Sequence, residues 1–181
     1  MKNYTLTGGL ISGFLGIIFT SVTYFIGIQA MVSLWTALVA LLMFTGLYVF
    51  MGLRYRKLNG GYLTFKDAFA LIFFMGMISS VLGGTFQIIL YHVINPDLPG
   101  MMHDAIIQKT INMMQRFGSP QDKIDETITK MQENTGEYSM GSQIRSIALS
   151  SIGVAIVALI IGAIIKKTPP PFENVSDTNT Q

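Results

Sequence analysis

Four stretches of this chain contain no Asp, Glu, Lys or Arg: Leu6–Ile28, Val32–Leu53, Phe69–Val93 and Ser146–Ile165. A helix needs about 20 predominantly apolar residues to cross the roughly 30 Å hydrocarbon core of a bilayer, and each stretch meets that length. A soluble bundle would put a polar face on every helix at helical spacing, and these stretches have none. Composition agrees. Half of the 181 residues are hydrophobic and only 12% are charged, against about 25% in soluble domains. The fold class that follows is all-α: an integral membrane four-helix bundle. The long segment between the third and fourth spans, about 94–143, is predicted to form a two-helix insertion outside the bilayer.

The first apolar run is longer than the core of a cleaved leader, and Ile28-Gln29-Ala30 is a poor small-x-small cleavage site, so the run is read as a retained span. It carries Gly8, Gly9, Ser12, Gly13 and Gly16. Small residues let backbones approach closely where lipid removes the hydrophobic drive, so this face is expected to pack on another helix of the same chain. A short uncharged connection, about 29–33, makes the first two spans an antiparallel hairpin. Trp35 opens the second span at headgroup level.

Next comes the densest basic cluster, Arg54, Arg56, Lys57 and Lys66, read as a short loop with one acid, Asp67. Asn59-Gly60-Gly61 is a turn signal. Thr64 followed by Asp67 has the spacing of a capping box and should start the third span. Gly76, Ser80 and Gly84 make that span the expected central helix, with Gln87 facing the bundle because an unpaired amide in hydrocarbon is costly. Asn95-Pro96 and then Pro99-Gly100 are read as its stop. Ile106, Ile107, Ile111, Met114 and Phe117 form one apolar face. After Gly118 and Ser119-Pro120, the recurrence of Ile124, Ile128 and Met131 forms a second face, ended by Gly136. The two faces are expected to pack on each other, on the membrane surface or on a partner. The last span ends at Lys166-Lys167, and 168–181, opening on three prolines, is expected to be a disordered cytoplasmic tail. Residues 1–167 thus form one four-span domain.

Charge sets the orientation. Lys2, Arg54, Arg56, Lys57, Lys66, Lys166 and Lys167 fall on one side, which the positive-inside rule makes cytoplasmic; 94–143, with most of the acids, then lies outside. Arg145, beside an external helix end, runs against the rule.

Catalytic chemistry has little to stand on. The sequence lacks a phosphate loop, HExxH, GxSxG and a dinucleotide fingerprint. It has no cysteine and two histidines, so a zinc site would need Asp or Glu ligands. The external grouping available is His92, Asp97, His103 and Asp104. Met101, Met102, Met113, Met114, Met131 and Met140 could suit Cu(I), but Met is also adaptable packing for irregular helix contacts. The spans hold no ionisable residue apart from His92 near an end, which disfavours a coupled transporter.

The run Gly60-Gly61-Tyr62-Leu63-Thr64-Phe65-Lys66-Asp67-Ala68-Phe69, the later Ile89-Leu90-Tyr91 leading to Ile94-Asn95-Pro96, and the layout up to about Lys167 resemble the bacterial membrane-protein domain-of-unknown-function family 4199. The resemblance implies a four-helix protein of the inner membrane and brings no activity, cofactor, metal or catalytic residue with it. The leading expectation is a non-enzymatic structural or interaction protein. Its partners would be the lipid bilayer and a second copy or membrane protein held through the external helices, with no nucleic acid. A second expectation is a subunit of an oligomeric transporter or channel lined by Gln87, Ser79 and Ser80. A third is a metal-handling or membrane enzyme using His92, His103 and the methionines.

Overall fold

A computed structural model describes residues 2–133 and 140–168. The elements are α1 (Lys2–Ile26), the single turn α2 (Ile28–Met31), α3 (Leu34–Leu58), α4 (Phe65–Ile89), a π-turn (Leu90–Ile94), α5 (Leu98–Arg116), α6 (Gln121–Glu133) and α7 (Met140–Ile165). Among the described residues there is no strand, only one isolated bridge between Leu63 and Lys167. Four helical stretches, Lys2–Ile26, Leu34–Leu58, Phe65–Ile94 and Ile144–Ile165, are long and apolar enough to cross a membrane. The chain is therefore a membrane protein. Gly136 and the residues from Pro169 on, including the three prolines, lie outside the described residues.

The central helix is α4, which packs along α1 on one side and α7 on the other. Glycine decides how closely. On the α1 side, a Cβ at Gly9 would fall 2.6 Å from Ile78 Cβ, and one at Gly13 would fall 2.6 Å from a Leu82 methyl. Gly8 meets the thioether of Met75 in the same way. The small face of α1 thus receives the bulky side chains of α4, as expected of a GxxxG surface. On its other side α4 reverses the roles: Gly76 receives Val154 and Gly84 receives Ile147 of α7. Near the end of α7, Gly162 lies against the α4 backbone itself, 3.2 Å from Phe69 N to where a Cβ would stand. Ala68, Leu71, Ile72, Met75, Ala158, Ile161 and Ile165 form the fully buried centre.

The buried hydroxyls of Ser12 and Thr23 are satisfied within α1. Ser12 is fully buried, and its hydroxyl donates to Gly8 O at 2.9 Å and Gly9 O at 3.1 Å. The Thr23 hydroxyl donates to Thr20 O at 2.9 Å. Such i−3 and i−4 bonds satisfy these two hydroxyls without a partner from another helix.

The basic cluster departs from the sequence expectation. Arg54, Arg56 and Lys57 are helical, because α3 runs on to Leu58. Cations in a last helical turn complement the carbonyl dipoles there, so the extra turn is favourable. The loop proper is 59–64. It opens with a Schellman-type closure in which Gly61 N donates to Arg56 O at 2.9 Å; Gly60 takes the positive φ, 72°, that this geometry requires, and Gly61 follows at 85°. Thr64 caps α4 as expected: its hydroxyl oxygen accepts from Asp67 N at 3.2 Å and donates to the Asp67 carboxylate at 2.7 Å.

This end is stitched together. Leu63 N donates to Lys167 O and Lys167 N to Leu63 O, each at 2.8 Å. Arg56 donates to Ile165 O, an orphan carbonyl at the end of α7, at 3.0 Å. The Tyr4 hydroxyl donates to Met51 O at 3.0 Å, drawing the start of α1 onto α3.

Candidate functional site at the π-turn

At the opposite end, Pro96 cannot donate a backbone hydrogen bond and keeps Asn95 out of the helical conformation, at φ −145° and ψ 87°. The helix widens before it stops. Asn95 N reaches back five residues to Leu90 O at 2.9 Å, and Leu90–Ile94 forms one π-turn. Such turns are frequent at functional sites. Two residues on, Leu98 begins α5, with Pro99 in its first turn where proline costs nothing. Pro99-Gly100, read from sequence as part of a stop, is therefore the start of the next helix.

A polar group gathers here. Gln87 donates its amide to the Tyr91 hydroxyl at 2.9 Å, and that hydroxyl donates to the Met102 sulfur at 3.4 Å. Asn95 donates to the Tyr24 hydroxyl at 3.3 Å, linking α1 to the turn. Tyr91, Leu90 and Leu98 are buried among Tyr24, Ile28, Met31, Phe86 and Met102. The Lys109 ammonium donates to Val32 O at 3.0 Å and Gln29 O at 3.5 Å, satisfying carbonyls left open at the end of α2. These contacts seat α5 on the connection between α1 and α3. Next, α5 closes on a Schellman motif: Ser119 N donates to Met114 O at 2.9 Å and Gly118 N to Gln115 O at 3.0 Å, with Gly118 at φ 70°. Then α6 folds back on α5 and buries Ile124.

The residues singled out from sequence distribute as follows. Gln87 is exposed on α4 rather than turned into the helix packing; its amide is satisfied one turn along its own helix by Tyr91. Ser79 and Ser80 are half-buried. His92 is half-buried on the π-turn, and its Nε2 is buried with no hydrogen-bond partner among the described residues. His103 is half-buried on α5, and Asp97 and Asp104 are exposed. Among the described residues, no three His, Asp or Glu side chains stand close enough together to hold a metal. Of the methionines, Met102 is committed to Tyr91, while Met101 and Met113 are exposed; the Met140 side chain lies outside the described residues. Phe117, expected on the packed face of α5, is 82% exposed because the helix ends at Arg116.

Sequence reasoning passed over Tyr24, Tyr91 as a hydrogen-bond hub and Lys109. For Lys109 there was a signal: it stands four residues after Ala105 and seven after Met102, on the face of α5 that packs. A cation at that register needs an anion or carbonyls opposite it.

Three comparisons set this geometry in context. Residues 7–167 match the family model described as "Protein of unknown function (DUF4199)". No curated protein and no solved structure matches the chain.

Proposed function

We propose, for a chain that belongs to the DUF4199 family, a non-enzymatic role: a four-span bundle in a bacterial inner membrane that presents α5 and α6 outside the bilayer to a protein partner. In this reading the basic end, with both termini and residues 54–68, is cytoplasmic, and 94–143 is external. The observation that carries it is the elbow of the α5–α6 hairpin. Ile124 is buried where α6 folds back on α5, and Ile128 and Met131 of the expected apolar face are half-buried. Met113 in the last turn of α5 and Phe117 just past its end remain 54% and 82% exposed. They sit on an element anchored to the spans through Lys109 and Met102, so they are held out on a rigid mount. A photo-crosslinker placed at Phe117 in native membranes should trap a discrete neighbour, and one at Lys123 on α6 should not. Monomer alone from both positions would sink the reading.

The second reading, a subunit of an oligomeric transporter or channel, draws on the exposure of Gln87 on a candidate span. An outward amide in hydrocarbon suits contact with another subunit or a shared path. Purified protein in liposomes should then pass a solute or ion at a rate that Gln87→Leu changes.

A further inference from the structure

The stitched end of the molecule brings Lys66 to the same end as Lys166 and Lys167, which are far from it in sequence. The paired backbones of Leu63 and Lys167 lay the end of α7 along the entry to α4. Lys166 Nζ stands 5.9 Å from the centre of the Phe65 ring, and Lys167 Nζ 5.7 Å from that of Tyr62. Lys66 follows Phe65, and all three lysines are exposed. An ammonium resting on a ring face is held in place while its N–H donors stay free for an anion. Arg54, Lys57 and Lys2 are exposed at the same end, while Arg56 is occupied with Ile165 O. Among the described residues, the acid here is Asp67, a single carboxylate against these several cations, and the salt bridges are confined to α6. The positive charge is therefore not neutralised by the described part of the protein.

Its height selects the ligand. The 25 residues of α3 span about 37 Å, more than the roughly 30 Å hydrocarbon core. The ends of the spans therefore stand among headgroups. Phe65, under Lys166, is 40% exposed, and Leu58, at the end of α3 on the same side of the molecule, is 70% exposed, so apolar side chains stand at the basic end.

We infer that Lys66, Lys166 and Lys167 form a seat for the phosphate of an anionic glycerophospholipid, its chains running down past Leu58 and Phe65. The inference rests on the membrane-spanning reading of the four helices. The backbone pairing of Leu63 with Lys167 makes the seat a fixed arrangement, distinct from a diffuse cloud of charge.

The test uses the full chain in nanodiscs of phosphatidylcholine doped with phosphatidylglycerol, followed by native mass spectrometry of the lipids retained. Phosphatidylglycerol should be retained in preference to phosphatidylcholine. Each single Lys→Gln change should weaken retention about fivefold, the worth of one cation at an anionic surface. Lys66→Arg, Lys166→Arg and Lys167→Arg together should keep the preference, and Lys123→Gln should leave it unchanged. Equal retention of the two lipids by the native chain, or undiminished preference after all three glutamine changes, would overturn the seat. Carbonate extraction separates the premises. Release of the chain from membranes would overturn the spanning reading as well, whereas retention without lipid preference would sink the seat alone.

Discussion

At the scale of single residues, the structure turns on where a methyl group has room. A Cβ at Gly9 would meet the branched Ile78 Cβ, which cannot swing aside, whereas Gly46 on α3 faces nothing within 4 Å. Gly9→Ala should therefore destabilise by about 1–3 kcal/mol as the helices are wedged apart. Gly46→Ala should be neutral or stabilising by up to about 1 kcal/mol through helix propensity. Thermal melts of both variants in one detergent check the contrast, and equal shifts would remove the argument. That the α1 face would pack was legible in the spacing of Gly9 and Gly13. Which helix it would meet was not, because Gly9 and Gly13 do not name Ile78 and Leu82. Gln87 misled for a different reason: burial looked like the way to pay for its amide, but a tyrosine one turn on served as well.

At the scale of elements, α6 and α5 differ in what holds them. On α6, Glu126 accepts from Lys130 at 2.7 Å and Lys123 at 3.0 Å. The Lys130 hydrogen bond, then that of Lys123, holds its carboxyl below its ordinary value of 4.5. A depressed carboxyl contributes stability above its unfolded pKa and loses it as pH falls through the folded value. Hydrogen exchange in 121–133 should accelerate slightly below pH 4.5, and Glu126→Gln should abolish that pH dependence; the pairs are exposed, so the change is small. By contrast, α5 depends on the Lys109 ammonium. Lys109→Met leaves the carbonyls of Gln29 and Val32 open, a loss of about 1.4 kcal/mol, and exchange in 98–116 should quicken about tenfold. An unchanged rate would show that apolar contacts alone seat the helix. Both α5 and α6 could be read from their apolar spacing and the Gly118 stop. The π-turn could not, since Leu90–Ile94 has ordinary helical composition and only Pro96 disturbs it from outside. The helical extent of Arg54–Lys57 was missed because basic residues suggest a loop, although helix ends welcome them equally.

For the whole molecule, the division of charge between the two ends is the property with the widest reach. Reporter fusions within 106–133 and after Gln181 should report opposite sides of the membrane; the same side from both would refute four crossings. The pairing of Leu63 with Lys167 also has a consequence in time. A chain leaving the ribosome delivers α4 long before α7, and Lys167 follows all four spans. The glycine seats at Gly76 and Gly84 therefore stand vacant through most of synthesis, and the Arg56 guanidinium waits for Ile165. The clasp can shut only after the fourth span has been inserted, which makes it a marker of completed assembly. A half-built chain therefore differs from a finished one at the basic end, where Leu63 and Arg56 still lack their partners.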